Sequence, residues 1–434
     1  MNKSRFILLT SAFCAFANFN AYGAHELTLA ETLNTAEQNS PRLKASRLKE
    51  QAAHEGVGVA QSAYYPTVAA AAIDSWGFPG SSGALGIGGL MGSPYRSGAA
   101  LGLVAQDTLY DFGRTYSSVK AAKYAEKAQH EAIEVERYSV DEDVLQTFYE
   151  CSRFRSEHEV WDSLHGETEL VAKEVSRFVD TGQRSVVDRY LSQGQVEEAR
   201  TNRNFFKSRM NSTVSRLALL MGSTDKDLSC PALPKMEEGV PLYPIRTINP
   251  YVLRAETEVE LSENRLLRAK TDYLPKIIGV ASTGMMERVR LVNRADYSGG
   301  LGIVVPLFDG LGTSYRVGQS RAELGAKAQE LAAVQLRIDE ISAKYDEIID
   351  ASKARIEHLE REQGLAQEGF GVAKNRYFKF QGTLVDLRDA LRNIGRIETE
   401  MIDAQANLLE ATGSKALLNG SSTAKPATTD QGKP

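Results

Sequence analysis

The chain has 434 residues, 42% apolar, 25% charged and 8% aromatic, enough apolar content to exclude a mainly disordered chain. Its 51 basic and 56 acidic residues, net −5, leave no basic footprint for nucleic acid. Three cysteines are too few for a disulfide scaffold, and 13 prolines favour long uninterrupted helices.

Lys3 and Arg5 precede an apolar run over 6–19, followed by the small residues Ala21, Gly23 and Ala24. Charged, then apolar, then small is the order of a secretory signal peptide, here residues 1–23, with cleavage after Gly23 or Ala24. The run is short for a spanning helix, which needs about 20 residues. Phe13 before Cys14 is not the small residue of a lipid-attachment site. Losing Lys3 and Arg5 moves the net charge from −5 to −7. Beyond residue 24 there is no apolar stretch of 18 residues. That leaves a soluble exported protein or a β-barrel, whose strands give only a weak alternating signal.

The remaining elements fall into two copies. In the first, a helix is expected over about 29–62, with Pro41 in a first turn, then strands over about 64–76 and 96–108. The glycine-rich 77–94 segment reads as the loop between them. Asp111 stands where strand gives way to helix, a good N-cap position. A proline-free helix follows over about 113–179, then a turn over 180–185 and a returning helix over about 186–221. Residues 223–246, with four prolines, form a linker. The second copy repeats this order: helix 247–271, strands 273–285 and 296–307, a short loop bearing Arg288, Arg290 and Arg294, Asp309, a long helix 313–378, a turn 379–383, and a helix 384–412. In its last strand Tyr297, Leu301, Ile303 and Val305 share one parity against Ser298, Gly300 and Gly302. In its long helix Leu331, Val334, Ile338, Ile341, Tyr345 and Ile348 form a coiled-coil seam. Residues 414–434, rich in Ser, Thr, Ala and Pro, read as a disordered tail.

Landmarks fix the duplication. Pro41 to Pro250 and Pro66 to Pro275 are both 209 residues, while Asp111 to Asp309 and Asp188 to Asp386 are both 198. The change of offset falls in the longer first loop. Residues 24–222 and 247–413 are thus expected to be homologous repeats. Each supplies two strands of bilayer-crossing length. The smallest membrane barrels have about 8 strands and open edges are not tolerated in hydrocarbon, so four strands must oligomerise to close.

This pattern resembles the TolC family of outer-membrane efflux and type I secretion channels. The resemblance spans about residues 27–413 and rests on order and spacing: Asn39-Ser40-Pro41, Tyr65-Pro66 and Leu274-Pro275, Leu109-Tyr110-Asp111-Phe112-Gly113 and Leu307-Phe308-Asp309-Gly310, Arg177-Phe178 with Gly182 and Asp188, and Arg376-Tyr377 with Asp386. It implies a mainly α fold with a membrane β-barrel portion: a homotrimer sharing a 12-stranded barrel above an α-helical periplasmic tunnel, with 223–246 and the tail in an equatorial belt. It implies a passive exit duct in the outer membrane, extending into the periplasm and contacting outer-membrane lipid. A periplasmic adaptor (membrane fusion) protein and an inner-membrane ABC or RND-type transporter would dock it, with no cofactor, no nucleic acid and no catalytic residue. The competing expectation is a soluble exported coiled-coil or adhesin-like protein.

The family closes its tunnel at the periplasmic tip with acidic rings, a position matched by Asp386 and Asp389. Such rings favour cations. Acids in a first helical turn also simply complement the helix dipole. Arg388 lies between them and softens the field if it points inward. Tyr377 matches the family's tip tyrosine. The family's basic partner position falls at Gly382, so Arg184 of the first copy's turn is the candidate partner. The turns at Gly182 and Gly382 are the candidate adaptor-docking sites. Elsewhere, His158, Asp162 and His165 share one helix face, as a metal site or, more simply, a solvated face would. No HExxH or GxSxG motif occurs. Two separate thiols are the default for Cys151 and Cys230, a disulfide the alternative.

Overall fold

The computed structural model describes residues 25–75, 98–223, 228–234, 249–286 and 294–419. The expected signal peptide, the 77–94 loop, most of the 287–295 loop, most of the linker and the tail beyond residue 419 lie outside the described residues. No described helix is long and apolar enough to cross a membrane.

The first copy runs β1 (His25–Glu26), α1 (Leu29–Asn39), α2 (Pro41–Gln61), β2 (Thr67–Ser75), β3 (Gly98–Tyr110), α3 (Arg114–Asp180) and α4 (Val186–Leu220). After β4 (Leu228–Ser229), the second runs α5 (Pro250–Lys270), β5 (Lys276–Met286), β6 (Arg294–Val304), α6 (Gly312–Phe378) and α7 (Leu384–Leu418). The long helices α3 and α6 have 67 residues each, the returning α4 and α7 have 35 each, and α2 and α5 have 21 each. At 1.5 Å per residue the long helices reach about 100 Å and the returning ones about 50 Å. The upper half of each long helix therefore packs on α2 or α5, and the lower half on α4 or α7.

Three details depart from the sequence reading. The expected first helix is two: Ser40 breaks it and its hydroxyl accepts from Leu43 N at 3.5 Å, which restarts the helix with Pro41 in the first turn. The last helix continues to Leu418, into the expected tail, because Leu417 and Leu418 are buried in the core. Asp111 and Asp309 are not the N-caps themselves; those are Gly113 and Leu311, both left-handed. The acids act from two residues upstream. Asp111 Oδ2 accepts from Thr115 N at 2.7 Å and Asp309 Oδ2 from Thr313 N at 2.7 Å, so each carboxylate still meets an orphan N–H of the first turn.

The strands form one antiparallel sheet in the order β2-β3-β5-β6. Its register runs Thr67↔Gln106, Gln106↔Val280 and Val280↔Gly300. On β6, Tyr297, Leu301 and Ile303 are exposed, an apolar face without cover in the single chain. Tyr64, Tyr65, Tyr110, Tyr116, Tyr273, Phe308 and Tyr315 ring the junction of strands and helices, all exposed.

One core lies midway along the helices and joins both copies: Leu29, Leu33, Leu43, Val144, Leu145, Tyr149, Leu217, Leu409 and Leu417 are buried together. Each copy closes there in the same way. Asn39 Nδ2 donates to Met221 O at 3.0 Å, and Asn249 Nδ2 donates to Leu418 O at 2.5 Å, so an asparagine at the start of each copy caps its closing helix. Gly222, left-handed at φ +62°, is required here because a Cβ would sit 2.9 Å from Asn39 Cβ. On α7, Cβ atoms at Gly395 and Gly413 would meet Leu164 at 2.9 Å and Leu145 at 2.7 Å, which lets α3 approach closely.

The default of two thiols is overturned. Cys151 and Cys230 form a disulfide, with Cα atoms 5.7 Å apart. Burial of Cys151 on α3 and a short segment held by several bonds bring them together. Leu27 N donates to Ser229 O at 3.4 Å, Leu233 N donates to Ser156 Oγ at 3.3 Å, and Arg155 donates to Cys230 O. The bridge spans 79 residues, for which loop-closure entropy gives about 4–5 kcal/mol. Apart from Cys14 in the expected signal peptide, the oxidised protein should present no titratable thiol, and reduction should lower its thermal unfolding temperature.

Glu157 of α3 is 2% exposed and shares a proton-sensitive cluster with Asp403 of α7 and Arg153. Arg153 Nη1 meets Asp403 Oδ1 at 3.2 Å. Burial and then the Asp403 charge push the Glu157 carboxyl up to about 8, against Arg153. The folded state thus holds a proton that the unfolded state releases near pH 4.5. From this group, stability falls as pH rises from about 4.5 to about 8 and then levels. Glu157→Gln should flatten that slope and raise stability at pH 8, measured by denaturant unfolding across pH.

Candidate functional site

The two helical turns meet at the end of the molecule farthest from the sheet, and their local chemistry is nearly identical. Each long helix ends in a left-handed residue that lets two N–H groups turn back onto its last carbonyls. In the first copy Gly182 (φ +74°) plays that part: Gly182 N donates to Val179 O at 3.0 Å and Gln183 N to Phe178 O at 2.8 Å. In the second it is Phe380 (φ +63°): Phe380 N donates to Tyr377 O at 3.1 Å and Gln381 N to Arg376 O at 2.8 Å. A hydroxyl then opens the next helix. Ser185 Oγ accepts from Val187 N at 3.2 Å and Thr383 Oγ1 from Asp386 N at 3.2 Å.

The 198-residue offset therefore pairs Gly182 with Phe380, Arg184 with Gly382, and Asp188 with Asp386. Gly382 is not the counterpart of Gly182. Its backbone is not left-handed; it is a close-approach glycine, with a Cβ there falling 3.2 Å from Arg376 Cβ and 3.3 Å from Tyr377 N.

Tyr377 and Arg184 come together. Tyr377 is fully buried among Val171, Val175, Val179, Leu384 and Leu387. Its hydroxyl donates to Asp188 Oδ2 at 3.0 Å, which joins α6 to α4. Burial first, then the Asp188 hydrogen bond and charge, hold the phenol well above its ordinary value, so it stays a donor through the physiological range. Arg184 Nη2 donates to Tyr377 O at 2.6 Å, and its guanidinium carbon lies 4.3 Å from the Tyr377 ring centroid.

The candidate acids are placed differently. Asp386 is exposed and completes a capping box: its Oδ2 accepts from Thr383 N at 3.2 Å. The Thr383 side chain and then its backbone N–H hold the Asp386 carboxyl below its ordinary value. This cap is intact above about pH 4 and is lost as pH falls through the lowered value. Asp389, one turn on, is exposed and bonded to Arg388, with Nη2 3.0 Å from Oδ1. Asp188 and Asp386 are equivalent in the repeat, yet one reaches across to Tyr377 and the other folds back on its own helix. Between the turns lies a cleft of about 370 Å³ lined by Gly182, Gln183, Arg184, Ser185, Asp188, Thr383, Leu384 and Val385.

Sequence reasoning treated Phe178 and Asp188 as landmarks rather than contacts, and it missed Phe380. The signal was present: sliding the copies by 198 residues sets Phe380 against Gly182. The His158, Asp162 and His165 trio does not converge on one point. His158 Nδ1 lies 3.2 Å from Arg203 O, Asp162 pairs with Arg203, and His165 Nδ1 is 3.9 Å from Glu169 Oε1. Among the described residues no group of three or more potential ligands is disposed for a metal. Thr383→Ala should remove the capping box and fray the start of α7, at about 1 kcal/mol, seen as faster amide exchange over 384–387.

A profile of the family described as outer membrane efflux protein matches residues 32–223 and 244–414. The chain is 22% identical over 403 residues to outer membrane efflux protein BepC of Brucella suis biovar 1 (strain 1330), covering 90% of this chain and 84% of that one. Among solved structures it resembles a membrane protein from Pseudomonas aeruginosa, with TM-score 0.78, 19% identity, and 91% and 90% of the two chains covered. It also resembles the outer membrane protein VceC of Vibrio cholerae, with TM-score 0.76, 16% identity, and 91% and 96% covered. The CmeC outer membrane channel of Campylobacter jejuni gives TM-score 0.77 at 14% identity, with 92% and 87% covered.

Proposed function

We infer that this chain, which belongs to the outer membrane efflux protein family, is one third of a trimeric outer-membrane efflux duct whose gate lies at the meeting of its two helical turns. The protein is an outer-membrane efflux channel extending into the periplasm, which sets aside the soluble coiled-coil alternative. The observation that carries closure by further copies is the four-stranded sheet, with β2 and β6 at its edges and an apolar face exposed, and the family supports three of them. In hydrocarbon such edges must be paired, and three copies supply 12 strands. The exposed tyrosines at the strand–helix junction suit a membrane–water interface, where amphipathic rings settle.

The duct is passive, and in this reading it is one part of a tripartite assembly. A periplasmic adaptor docks at the cleft between the Gly182 and Gly382 turns, and an inner-membrane ABC or RND-type transporter supplies the energy. Exposed Val186, Val187 and Tyr190 beside the cleft offer apolar contact to such a partner. The Tyr377–Asp188 bond and Arg184 hold the second hairpin against the first. Release of those contacts lets the second hairpin move. Asp386 and Asp389 of three chains face one aperture and favour cations there.

Detergent-extracted protein should run as three copies by mass photometry and conduct in planar bilayers; a monomer without conductance overturns the duct. In the same bilayers Asp386→Asn with Asp389→Asn should bring the cation-to-anion permeability ratio toward unity, read from reversal potentials. An unchanged ratio removes these residues from the constriction.

A further inference from the structure

The two tip turns share one backbone path but differ at its most demanding position. The left-handed residue is Gly182 in the first copy, at φ +74°, and Phe380 in the second, at φ +63°. Such a conformation places the Cβ of an L residue against the next carbonyl, which is why glycine or asparagine ordinarily ends a helix this way. A bulky aromatic residue is a poor choice for the turn itself. It calls for a contact that the ring makes.

The ring contacts lie across the hairpins. The Phe380 centroid is 5.2 Å from that of Phe178 at an interplanar angle of 67°, an edge-to-face pair. The Arg184 guanidinium carbon lies 5.1 Å from the Phe380 centroid. Phe178 is in the last turn of α3 and Arg184 is in the turn that follows, so both partners belong to the first copy. Arg184 also lies over Tyr377, so one guanidinium is held between two rings of the second hairpin. Phe178 meets Phe378 as well, with centroids 6.1 Å apart. Phe380 itself remains 49% exposed. The ring is thus half-exposed, left-handed in its backbone, and its aromatic and cation–π contacts are with the opposite hairpin.

We propose that Phe380 is a clasp that holds the gate shut by gripping Phe178 and Arg184 of the first hairpin. The proposal rests on the reading of the tip as the gate and adds a positioning residue to it. A residue shifts an equilibrium between two states only through contacts that differ between them. Strain common to both states biases neither. The Phe178 and Arg184 contacts exist only while the hairpins lie together, so they favour closure. Edge-to-face and cation–π contacts are fixed by ring geometry rather than by ionised pairs. The clasp therefore works independently of the pH range in which Tyr377 stays a donor.

Phe380→Gly separates the two roles of the residue because they have opposite signs. Glycine relieves the turn and removes the grip. In planar bilayers the purified trimer should show its open fraction raised about fivefold, the size of effect expected from one lost contact of this kind. Its thermal unfolding temperature should be unchanged or higher. Phe178→Ala removes the grip from the other hairpin and should open the channel to a similar extent. The double variant should open by less than the two single effects combined, since both break the Phe380–Phe178 pair while the Arg184 and Phe378 contacts are each lost in only one of them. Tyr377→Phe, which deletes only the bond to Asp188, serves as reference for the gate. If it opens the channel while Phe380→Gly and Phe178→Ala leave the open fraction unchanged, the gate stands and the clasp is wrong. If none of the three changes conductance, the gate reading falls together with the clasp. Additive opening in the double variant likewise overturns the clasp, because the two rings would then act separately.

Discussion

A strand in hydrocarbon has no water to satisfy its unpaired N–H and C=O groups, so a sheet there must close on itself. Much of this architecture follows from that constraint. The order β2-β3-β5-β6 is antiparallel throughout, so its two edge strands run in opposite directions. With four strands per chain, β6 of one copy would meet β2 of the next in the same antiparallel sense, and a ring of copies would close without a defect. An odd number would force one parallel joint per chain. Duplication of a two-strand unit guarantees the even number. It also guarantees that β3 and β6, the second strand of each pair, lead straight into α3 and α6. The strand-to-helix corner is built alike in both copies, with two consecutive left-handed residues and one glycine between them: Phe112 and Gly113 in the first, Gly310 and Leu311 in the second. Asp111 and Asp309 hold those corners by reaching the N–H and hydroxyl of Thr115 and Thr313.

Two copies with equal helices would give a wall with no preferred place to move. Helix lengths are indeed equal, and both copies close at mid-height through an asparagine on a helix end. The two turns at the tip nevertheless differ. The first turn carries Gly, Arg and an outward-reaching Asp; the second carries Phe, Gly and an Asp that caps its own helix. Each difference places the gripping group on one hairpin and the gripped surface on the other. Arg184 occupies the position where Gly382 has no room for a side chain, since a Cβ there would crowd the end of α6. The same closeness lets the second turn pass beneath Arg184 and Tyr377 receive its guanidinium.

Much of the fold was legible because duplication turns weak local signals into repeated ones. A lone Tyr-Leu-Pro or Leu-Phe-Asp-Gly says little, but the same landmarks at fixed offsets mark the elements. What stayed illegible was set by contacts at long range. Cys151 and Cys230 lie on different elements, and only the packing of 228–234 along α3 brings their Cα atoms to 5.7 Å. The extension to Leu418 follows from burial in the shared core rather than from propensity, whereas the break at Ser40 is a local cap that the long helical pattern masked. At the tip, Tyr377 was legible through the resemblance to the family's tip tyrosine, and Arg184 as the alternative partner once the family's basic position fell at Gly382. Phe380 was overlooked although the 198-residue offset sets it against Gly182, because a phenylalanine in a turn looks like an ordinary surface residue until its φ is known.

Stability is distributed unevenly along the helices, and the distribution favours the tip as the moving part. The mid-height core joins α1, α3, α4 and α7, and a disulfide and two asparagine caps fasten it. Gly395 and Gly413 bring α7 against α3 too closely for either to slide without a clash. Below them the apolar cluster shrinks to the few residues around Tyr377. The hairpins are otherwise linked there by exposed ion pairs such as Arg392 with Glu198, which are worth little in water. Segments that move in function are drawn from the least stable end of a structure. A duct fastened at its waist and lightly held at its end can open there at small cost while its upper wall and barrel stay as they are.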